Sequence, residues 1–86
     1  MREYTVVLAR SAERDLHWLS SSDQARVTRA IERLANNPRP PGVKKLAGAE
    51  GLWRLRAGDY RIVYSVDDHR AVVDISHIRH RREVYR

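Results

Sequence analysis

The amino-acid sequence predicts an α+β domain in which a pair of helices packs on one face of an antiparallel sheet. A β-branched and aromatic segment covers residues 4–8, helical periodicity follows up to residue 37, and three strand-like segments lie between residues 52 and 78. The order is therefore strand, helix, helix and then a three-stranded antiparallel sheet. The 86 residues leave room for a single domain spanning 1–86.

The two helices are predicted from caps and apolar spacing. Ser11 stands where an N-cap is expected, before Ala12, Leu16 and Leu19 at helical intervals. Serines interrupt this helix at 20–22, and Ser21 with Gln24 matches a capping box that would begin the second helix. The second helix should end at 36–38, and the short connection predicts an antiparallel helical hairpin. Its amphipathic stripe consists of Val27, Ala30, Ile31 and Leu34.

The second half of the chain is predicted to be a loop followed by three strands. Residues 38–51 contain all three prolines and are assigned to a loop. The strands are expected at 52–57, 60–66 and 71–78, with Gly58 and Asp59 as a two-residue hairpin turn and residues 67–70 as a polar turn. The basic segment 79–86 is expected to form one helical turn.

A two-residue turn pairs Ala57 with Tyr60 and places Arg56 opposite Arg61. Alternation then gives an apolar face (Trp53, Leu55, Tyr60, Ile62, Tyr64, Val66) and an opposite face (Arg54, Arg56, Arg61, Val63, Ser65). Like charges directly opposite each other cost on the order of 0.2–1 kcal/mol per pair. The face that carries these three arginines is either a solvated surface or a phosphodiester site. We favour the phosphodiester site, because the strands of this hairpin hold no balancing acid.

Composition points towards a polyanionic partner. The net charge is +6, and 15 of the 17 basic residues are Arg, with Lys44 and Lys45 as the two exceptions. Arg binds phosphate bidentately and stacks on flat rings. The absence of Cys excludes disulfides, thiol nucleophiles and cysteine zinc sites. No apolar run is long enough for a membrane span or signal peptide, so we expect a soluble cytoplasmic protein without membrane contact.

Several aromatic and histidine residues have two interpretations. Trp18 and Trp53 are expected to be core or half-buried anchors rather than base-stacking groups. Tyr60 and Tyr64 are assigned to the core. His69 beside Asp67 and Asp68 is assigned to a turn rather than a metal site. His77 and His80 could share a metal only if their segment were helical. Tyr85, in the basic tail, is suited to stacking on an exposed base.

Four segments resemble the RelE/ParE superfamily of bacterial and archaeal toxins. They are residues 44–48 (Lys-Lys-Leu-Ala-Gly), 52–56 (Leu-Trp-Arg-Leu-Arg), 58–64 (Gly-Asp-Tyr-Arg-Ile-Val-Tyr) and 81–85 (Arg-Arg-Glu-Val-Tyr). The resemblance covers nearly the whole chain and implies a RelE-like fold. The basic residues resemble those of the RelE-type, ribosome-dependent mRNA interferases, although that family more often has Lys where Arg54 and Arg56 stand. Arg cannot transfer protons at working pH.

The resemblance implies a metal-independent endoribonuclease without a cofactor, in which the 2′-OH attacks the adjacent phosphate. Its implied catalytic residues are Arg54, Arg56, Arg61, Arg79 and Tyr85. Arg79 would act near the 5′-oxygen either as a fixed charge or as a poor general acid. Tyr85 would either stack on the base or act as the general base, if the surrounding Arg residues lower its pKa. Lys44, Lys45, Arg81, Arg82 and Arg86 are expected to bind RNA. Related interferases use a Glu and a C-terminal His, for which Glu50, His77 and His80 are the available residues, but none of the three lies in the motif of those enzymes.

The resemblance also implies partners: mRNA, the ribosome, and a cognate RelB-like antitoxin that is acidic and wraps the toxin. A heterotetramer with the antitoxin is one assembly that this partnership allows. Two alternatives stay open. One is a ParE-like inhibitor of DNA gyrase without nuclease activity, and the other is a module that occupies the ribosome or RNA without cutting.

Overall fold

Two helices cover one face of a five-stranded sheet in the computed structural model, which describes residues 3–46, 48 and 51–80. The predicted α+β class is confirmed. The observed elements are β1 (Thr5–Leu8), α1 (Arg10–His17), α2 (Ser21–Asn36), β2 (Lys44–Lys45), β3 (Trp53–Ala57), β4 (Tyr60–Asp67) and β5 (Val72–His80).

The sheet has two more strands than the predicted three-stranded unit. Its order is β1-β5-β4-β3-β2, with β1 parallel to β5 and every other pair antiparallel. The last strand β5 therefore pairs with the N-terminal strand β1, with Thr5 opposite Val72. Between these two strands the chain passes through both helices and strands β2 to β4. The assignment of 38–51 to a loop was wrong at β2, because a two-residue strand has too few side chains to show alternation.

The predicted hairpin register is confirmed. Ala57 lies opposite Tyr60 and Arg56 opposite Arg61 across the two-residue turn. Gly58 has a φ of +62°, a backbone conformation that costs glycine little and other residues more. The β4–β5 ladder shifts by one residue, because Val63 pairs with His77 and Tyr64 pairs with Ile75, which leaves Ser76 as a bulge.

The core lies between the helices and the apolar face of the hairpin. Tyr64 is fully buried and donates a hydrogen bond from its hydroxyl to the carbonyl of Pro38 at 2.7 Å, while Tyr60 packs at the edge of the core. Both tyrosines therefore lie where they were expected. The buried apolar residues are Ala12, Val27, Ala30, Ile31, Leu34, Ala57, Ile62, Tyr64, Val73, Ile75 and Ile78.

Both predicted N-caps were wrong by one or two positions. The N-cap of α1 is Ala9, which makes no side-chain cap. Ser11 instead donates its hydroxyl to the carbonyl of Ser76 at 2.6 Å, so tertiary contact with β5 takes the place of capping. The N-cap of α2 is Ser20, whose hydroxyl accepts from the Asp23 amide at 3.3 Å. The side chain of Gln24 bonds the preceding helix rather than a capping box.

Two further expectations about side chains have separate outcomes. Trp53 is half-buried against the core, as expected. Trp18 is 79% exposed, so its assignment as an anchor was wrong. The reason is that α1 ends at His17 and Trp18 lies at the C-cap, outside the apolar stripe.

The C-terminal segment departs from the predicted helical turn where it is described. Arg79 and His80 extend β5, while residues 81–86 lie outside the described part of the chain. In the described ranges, no helix combines the length and apolarity needed to cross a membrane.

Candidate functional site

The face of the sheet opposite the helices carries a row of arginines. Arg61 on β4 lies between Arg56 on β3 and Arg79 on β5, each in direct cross-strand register. Residues in register project from the same face, and this face is the one opposite the core residues Ile62 and Tyr64. Three guanidinium-bearing residues therefore start from one row across three strands. We call this surface the arginine face; it also includes Arg54 and Lys44 from the neighbouring row.

Four of these cations line one small cleft. Lys44, Arg54, Arg56 and Arg61 surround a volume of about 140 Å³, with Gly42 at its border. Arg61 comes from the central strand β4 and is only 9% exposed, the single buried charged side chain among the described residues. A buried, permanently charged guanidinium beside other cations is suited to a compact anion such as a phosphate.

Acidic residues lie at the other end of this face. Asp74 pairs with Ser65, and Asp67 accepts a hydrogen bond from the Arg70 amide at 3.0 Å within the predicted polar turn. The ion pairs within the described ranges are Arg39–Asp68 and Arg79–Asp15, and neither involves Arg54 or Arg56. Positive charge is thus concentrated at the end of the sheet nearest the Gly58 turn.

Arg79 is held at the rim of the arginine face by helix α1. Its guanidinium lies 3.8 Å from Asp15 Oδ1 and 3.3 Å from His77 Nδ1. The other carboxylate oxygen of Asp15 accepts a hydrogen bond from the Ile78 amide at 3.0 Å. β1 pairs with residues 72–75 of β5. Beyond the bulge at Ser76, the edge of β5 is therefore open to contact with α1. Asp15 therefore bonds the backbone of β5 and contacts the guanidinium of Arg79.

Lys45 lies apart from the arginine face. Its neighbour Lys44 pairs with Arg54, so alternation turns Lys45 to the opposite side. There its ammonium lies 5.6 Å from the centroid of the Trp53 ring, and the guanidinium of Arg39 lies 5.3 Å from the same centroid. A wide depression of about 660 Å³ adjoins this cluster. The role of Lys45 in RNA binding stays a prediction.

The remaining candidates are placed as follows. His77 and His80 lie on a strand with an odd spacing, so they occupy opposite faces, and His80 contacts the Tyr60 ring edge-on at 5.3 Å. His69 lies in the turn before β5. Within residues 3–46, 48 and 51–80, no three His, Asp or Glu side chains are grouped as metal ligands would be. Glu50, Arg81, Arg82, Tyr85 and Arg86 lie outside the described residues.

Sequence reasoning missed Asp15 as a part of the site. A weak signal was present, since Ser11 and Asp15 are at positions i and i+4 of the helix and lie together beside the apolar stripe of α1. Polar residues that border such a stripe are placed to bond the edge of whatever element the helix covers. Here that element is β5, reached by both side chains.

Comparison with known proteins identifies the family of this chain. The family model described as "ParE toxin of type II toxin-antitoxin system, parDE" matches residues 6–85. The chain belongs to this family of toxins. The curated protein "Toxin RelE" of Mycobacterium tuberculosis is 38% identical over 84 residues, which cover 96% of this chain and 87% of that protein. "Toxin RelG" of the same organism is 34% identical, and the match covers 96% of this chain and 97% of that protein.

Solved structures of RelE-type toxins have the same fold as this family member. The toxin–antitoxin complex RelBE2 of Mycobacterium tuberculosis contains a chain that is 34% identical, with a TM-score of 0.78 and coverage of 91% of this toxin and 98% of that chain. The archaeal RelE–RelB complex from Pyrococcus horikoshii gives 30% identity and a TM-score of 0.80, with coverage of 94% and 97%. The predicted membership of the RelE/ParE superfamily is therefore confirmed.

Proposed function

We propose that this toxin is a ribosome-dependent endoribonuclease that cleaves mRNA in the ribosomal A site and thereby stops translation in the cytoplasm. The observation that carries the proposal is the cleft on the arginine face, where Arg61 is buried beside Arg54 and Arg56. A surface that inhibits only by protein contact does not need three guanidinium groups around a phosphate-sized volume. The resemblance to RelE-type relatives supports the same reaction.

The proposed reaction is phosphoryl transfer within RNA. The ribose 2′-oxygen forms a bond to phosphorus as the bond to the 5′-oxygen breaks, which leaves a 2′,3′-cyclic phosphate and a 5′-OH. Arg61 and Arg56 stabilise the negative charge that develops on the phosphate oxygens, an electrostatic contribution that is usually the largest in such reactions. Arg54 adds charge from the neighbouring row.

The other candidate residues act around this centre. Arg79, at the rim, faces the leaving 5′-oxygen, and Tyr85 stacks on the base next to the cut. Guanidinium groups keep their protons at working pH, so the 2′-OH proton leaves to water and the 5′-oxygen takes its proton from water. The reaction depends mainly on positioning, which the ribosome supplies by holding the codon, and it uses no metal or cofactor.

We also propose an acidic RelB-like antitoxin as the partner that silences the toxin. The similar structures from Mycobacterium tuberculosis and Pyrococcus horikoshii are the toxin–antitoxin complex RelBE2 and a RelE–RelB complex, which supports the pairing with a RelB-like partner. The net charge of +6 favours a partner rich in Asp and Glu. The antitoxin covers the arginine face and the C-terminal tail, and a heterotetramer is the assembly we propose to look for.

The proposal is tested by adding the purified toxin to an in vitro translation reaction and mapping mRNA ends by primer extension. We expect breaks within codons that depend on ribosomes. Arg61→Ala should abolish them, because it removes the buried charge from the cleft. Arg70→Ala is the matched control, since it removes one exposed arginine at the opposite end of the sheet and should cleave normally.

Each other outcome contradicts part of the proposal. Breaks in naked RNA would indicate a nuclease that does not need the ribosome. Blocked translation with intact mRNA would indicate a module that binds without cutting. Unimpaired translation would favour the gyrase-inhibiting alternative, which a DNA supercoiling assay then tests. A folded Arg61→Ala variant that still cuts would remove Arg61 from the catalytic centre.

A further inference from the structure

A second cleft lined with arginines lies beside the Gly58 turn, on the side of helix α2. Arg26, Arg29 and Arg33 from α2 and Arg56 from the end of β3 surround a volume of about 250 Å³. We call the three helical residues the α2 arginine surface. The proposed cleavage reaction does not use any of the three.

Helical spacing places the three arginines on one side of α2. Positions separated by three and four residues are neighbours on a helix surface, and like charges at these spacings destabilise the helix. In the part of the chain that the structure describes, no carboxylate lies within 4.0 Å of any of the three guanidinium groups. Among the described residues, no close ion pair offsets this concentration of positive charge on the helix.

The hairpin turn brings Arg26 close to the sheet. A Cβ built on Gly58 would lie 2.8 Å from Arg26 Nη1 and 3.0 Å from its Cδ. The guanidinium of Arg26 thus lies directly on the turn that joins β3 and β4. This contact is possible because residue 58 has no side chain.

Arg56 connects the α2 arginine surface to the proposed catalytic cleft. It lines the cleft on the arginine face together with Arg61, and it also lines the cleft beside α2. The two clefts therefore meet at Arg56, at the end of β3 next to the hairpin turn. A ligand that contacts both clefts must carry several negative charges along its length.

From this geometry we propose that the α2 arginine surface binds successive phosphates of an RNA strand outside the cleavage site. Residues 26 and 33 are separated by about 10.5 Å along the helix axis, at a rise of ~1.5 Å per residue. A nucleic acid strand advances about 3.4 Å per nucleotide along a duplex axis, so the three side chains are spread over a length comparable to a few nucleotides. The inference rests on the proposed function in taking RNA as the ligand. It adds a binding surface that sets affinity, not the chemical step.

The test compares the salt dependence of RNA binding between the wild-type toxin and the double variant Arg29→Ala/Arg33→Ala. Arg10→Ala/Arg14→Ala is the matched control, because it removes two exposed arginines from the other helix. The ligands are a fluorescent single-stranded RNA with 2′-O-methyl riboses, which cannot be cut, and ribosomes programmed with that RNA. Thermal unfolding followed by circular dichroism shows whether all variants fold.

Losing two phosphate contacts should make the slope of log K against log salt shallower by about 1.4, at ~0.7 per phosphate on a single strand. Between about 50 and 200 mM salt, the wild type should then lose roughly sevenfold more affinity than the α2 double variant. The α1 double variant should keep the wild-type slope. A change with the free strand identifies the message as the ligand, and a change with ribosomes alone identifies ribosomal RNA.

Three results would overturn the inference. One is a wild-type slope in the α2 double variant. A second is an equal change in both double variants, which would reflect net charge rather than a site. The third is an unchanged RNA slope with weakened antitoxin binding, which would assign the surface to the protein partner. A wild-type toxin that binds neither RNA nor ribosomes contradicts the proposed function itself, whereas wild-type binding with unaltered slopes contradicts the α2 assignment alone.

Discussion

Replacing Asp15 separates two roles that one carboxylate has in this toxin. Its Oδ2 accepts a hydrogen bond from the partly buried Ile78 amide at 3.0 Å, and its Oδ1 lies 3.8 Å from the Arg79 guanidinium. Asp15→Ala removes both contacts. Asp15→Asn retains an oxygen acceptor for the amide but removes the negative charge.

The expected free-energy changes differ between the two variants. Leaving the Ile78 amide without an acceptor costs about 1–3 kcal/mol. The pair with Arg79, whose side chain is 43% exposed, adds about 0.2–1 kcal/mol at most. An acidic group near the C-terminal end of a helix opposes the helix dipole by about 0.3–1 kcal/mol, and Asn relieves that cost. We therefore expect a loss of about 2 kcal/mol for Asp15→Ala and close to no change for Asp15→Asn.

Urea unfolding measures both variants, and the cleavage assay measures what happens to Arg79. Asp15→Asn should cleave several-fold more slowly at unchanged stability, because Arg79 loses the charge that directs it. Glu13→Gln is the matched control for cleavage, since it neutralises an exposed acid on the same helix and should cleave as the wild type does. In urea it should lose only the roughly 0.3–1 kcal/mol that an acid in the first turn of a helix contributes. Equal stability losses in the Ala and Asn variants would refute the hydrogen-bond argument. Full cleavage by Asp15→Asn would refute the positioning argument.

Two other predictions concern the turn and the core. Gly58→Ala should lose about 1–2 kcal/mol in urea unfolding, because the φ of +62° disfavours a Cβ, and Gly58→Asn should lose less; equal losses would point instead to a clash with Arg26. Burial raises the pKa of the Tyr64 phenol to about 12, partly offset by the charge of Arg39. Since this pKa lies above the unfolded value of 10.0, the stabilisation is complete below pH 10 and is lost as the pH rises through 12. Tyr64→Phe should therefore lose less of its free energy of unfolding between pH 10 and 12 than the wild type does. Parallel curves of unfolding free energy against pH for the two proteins would contradict the burial argument.

The hairpin could be predicted from the sequence because two independent signals agree there. A Gly-Asp turn allows few loop lengths, and a register slip of one residue would have mixed Arg56 and Arg61 with the apolar set. The structure shows the predicted pairs and the two predicted faces. The arginine face follows from that register, so the central part of the candidate site was predictable from local rules.

Features that depend on distant pairing could not be predicted in this way. The parallel contact of β1 with β5 joins residues more than 60 positions apart, and no local pattern encodes which strand β1 selects. β2 has only two residues, and its place at the sheet edge is set by β3. The hydrogen bond of Ser11 to the bulge at Ser76 has the same origin, which is why Ser11 looked like a helix cap.

The two faces of β4 explain how the fold tolerates a row of like charges. Arg61 lies opposite Arg56 and Arg79, and each such pair costs on the order of 0.2–1 kcal/mol. The residues on the other face of the same strand, Ile62 and Tyr64, are fully buried, and each buried side chain of this size contributes about 1.5–3 kcal/mol. The apolar contribution exceeds the repulsion, so β4 can hold the charges together. For the same reason, Arg61→Ala should leave the fold intact, because the buried residues on the opposite face stabilise the strand.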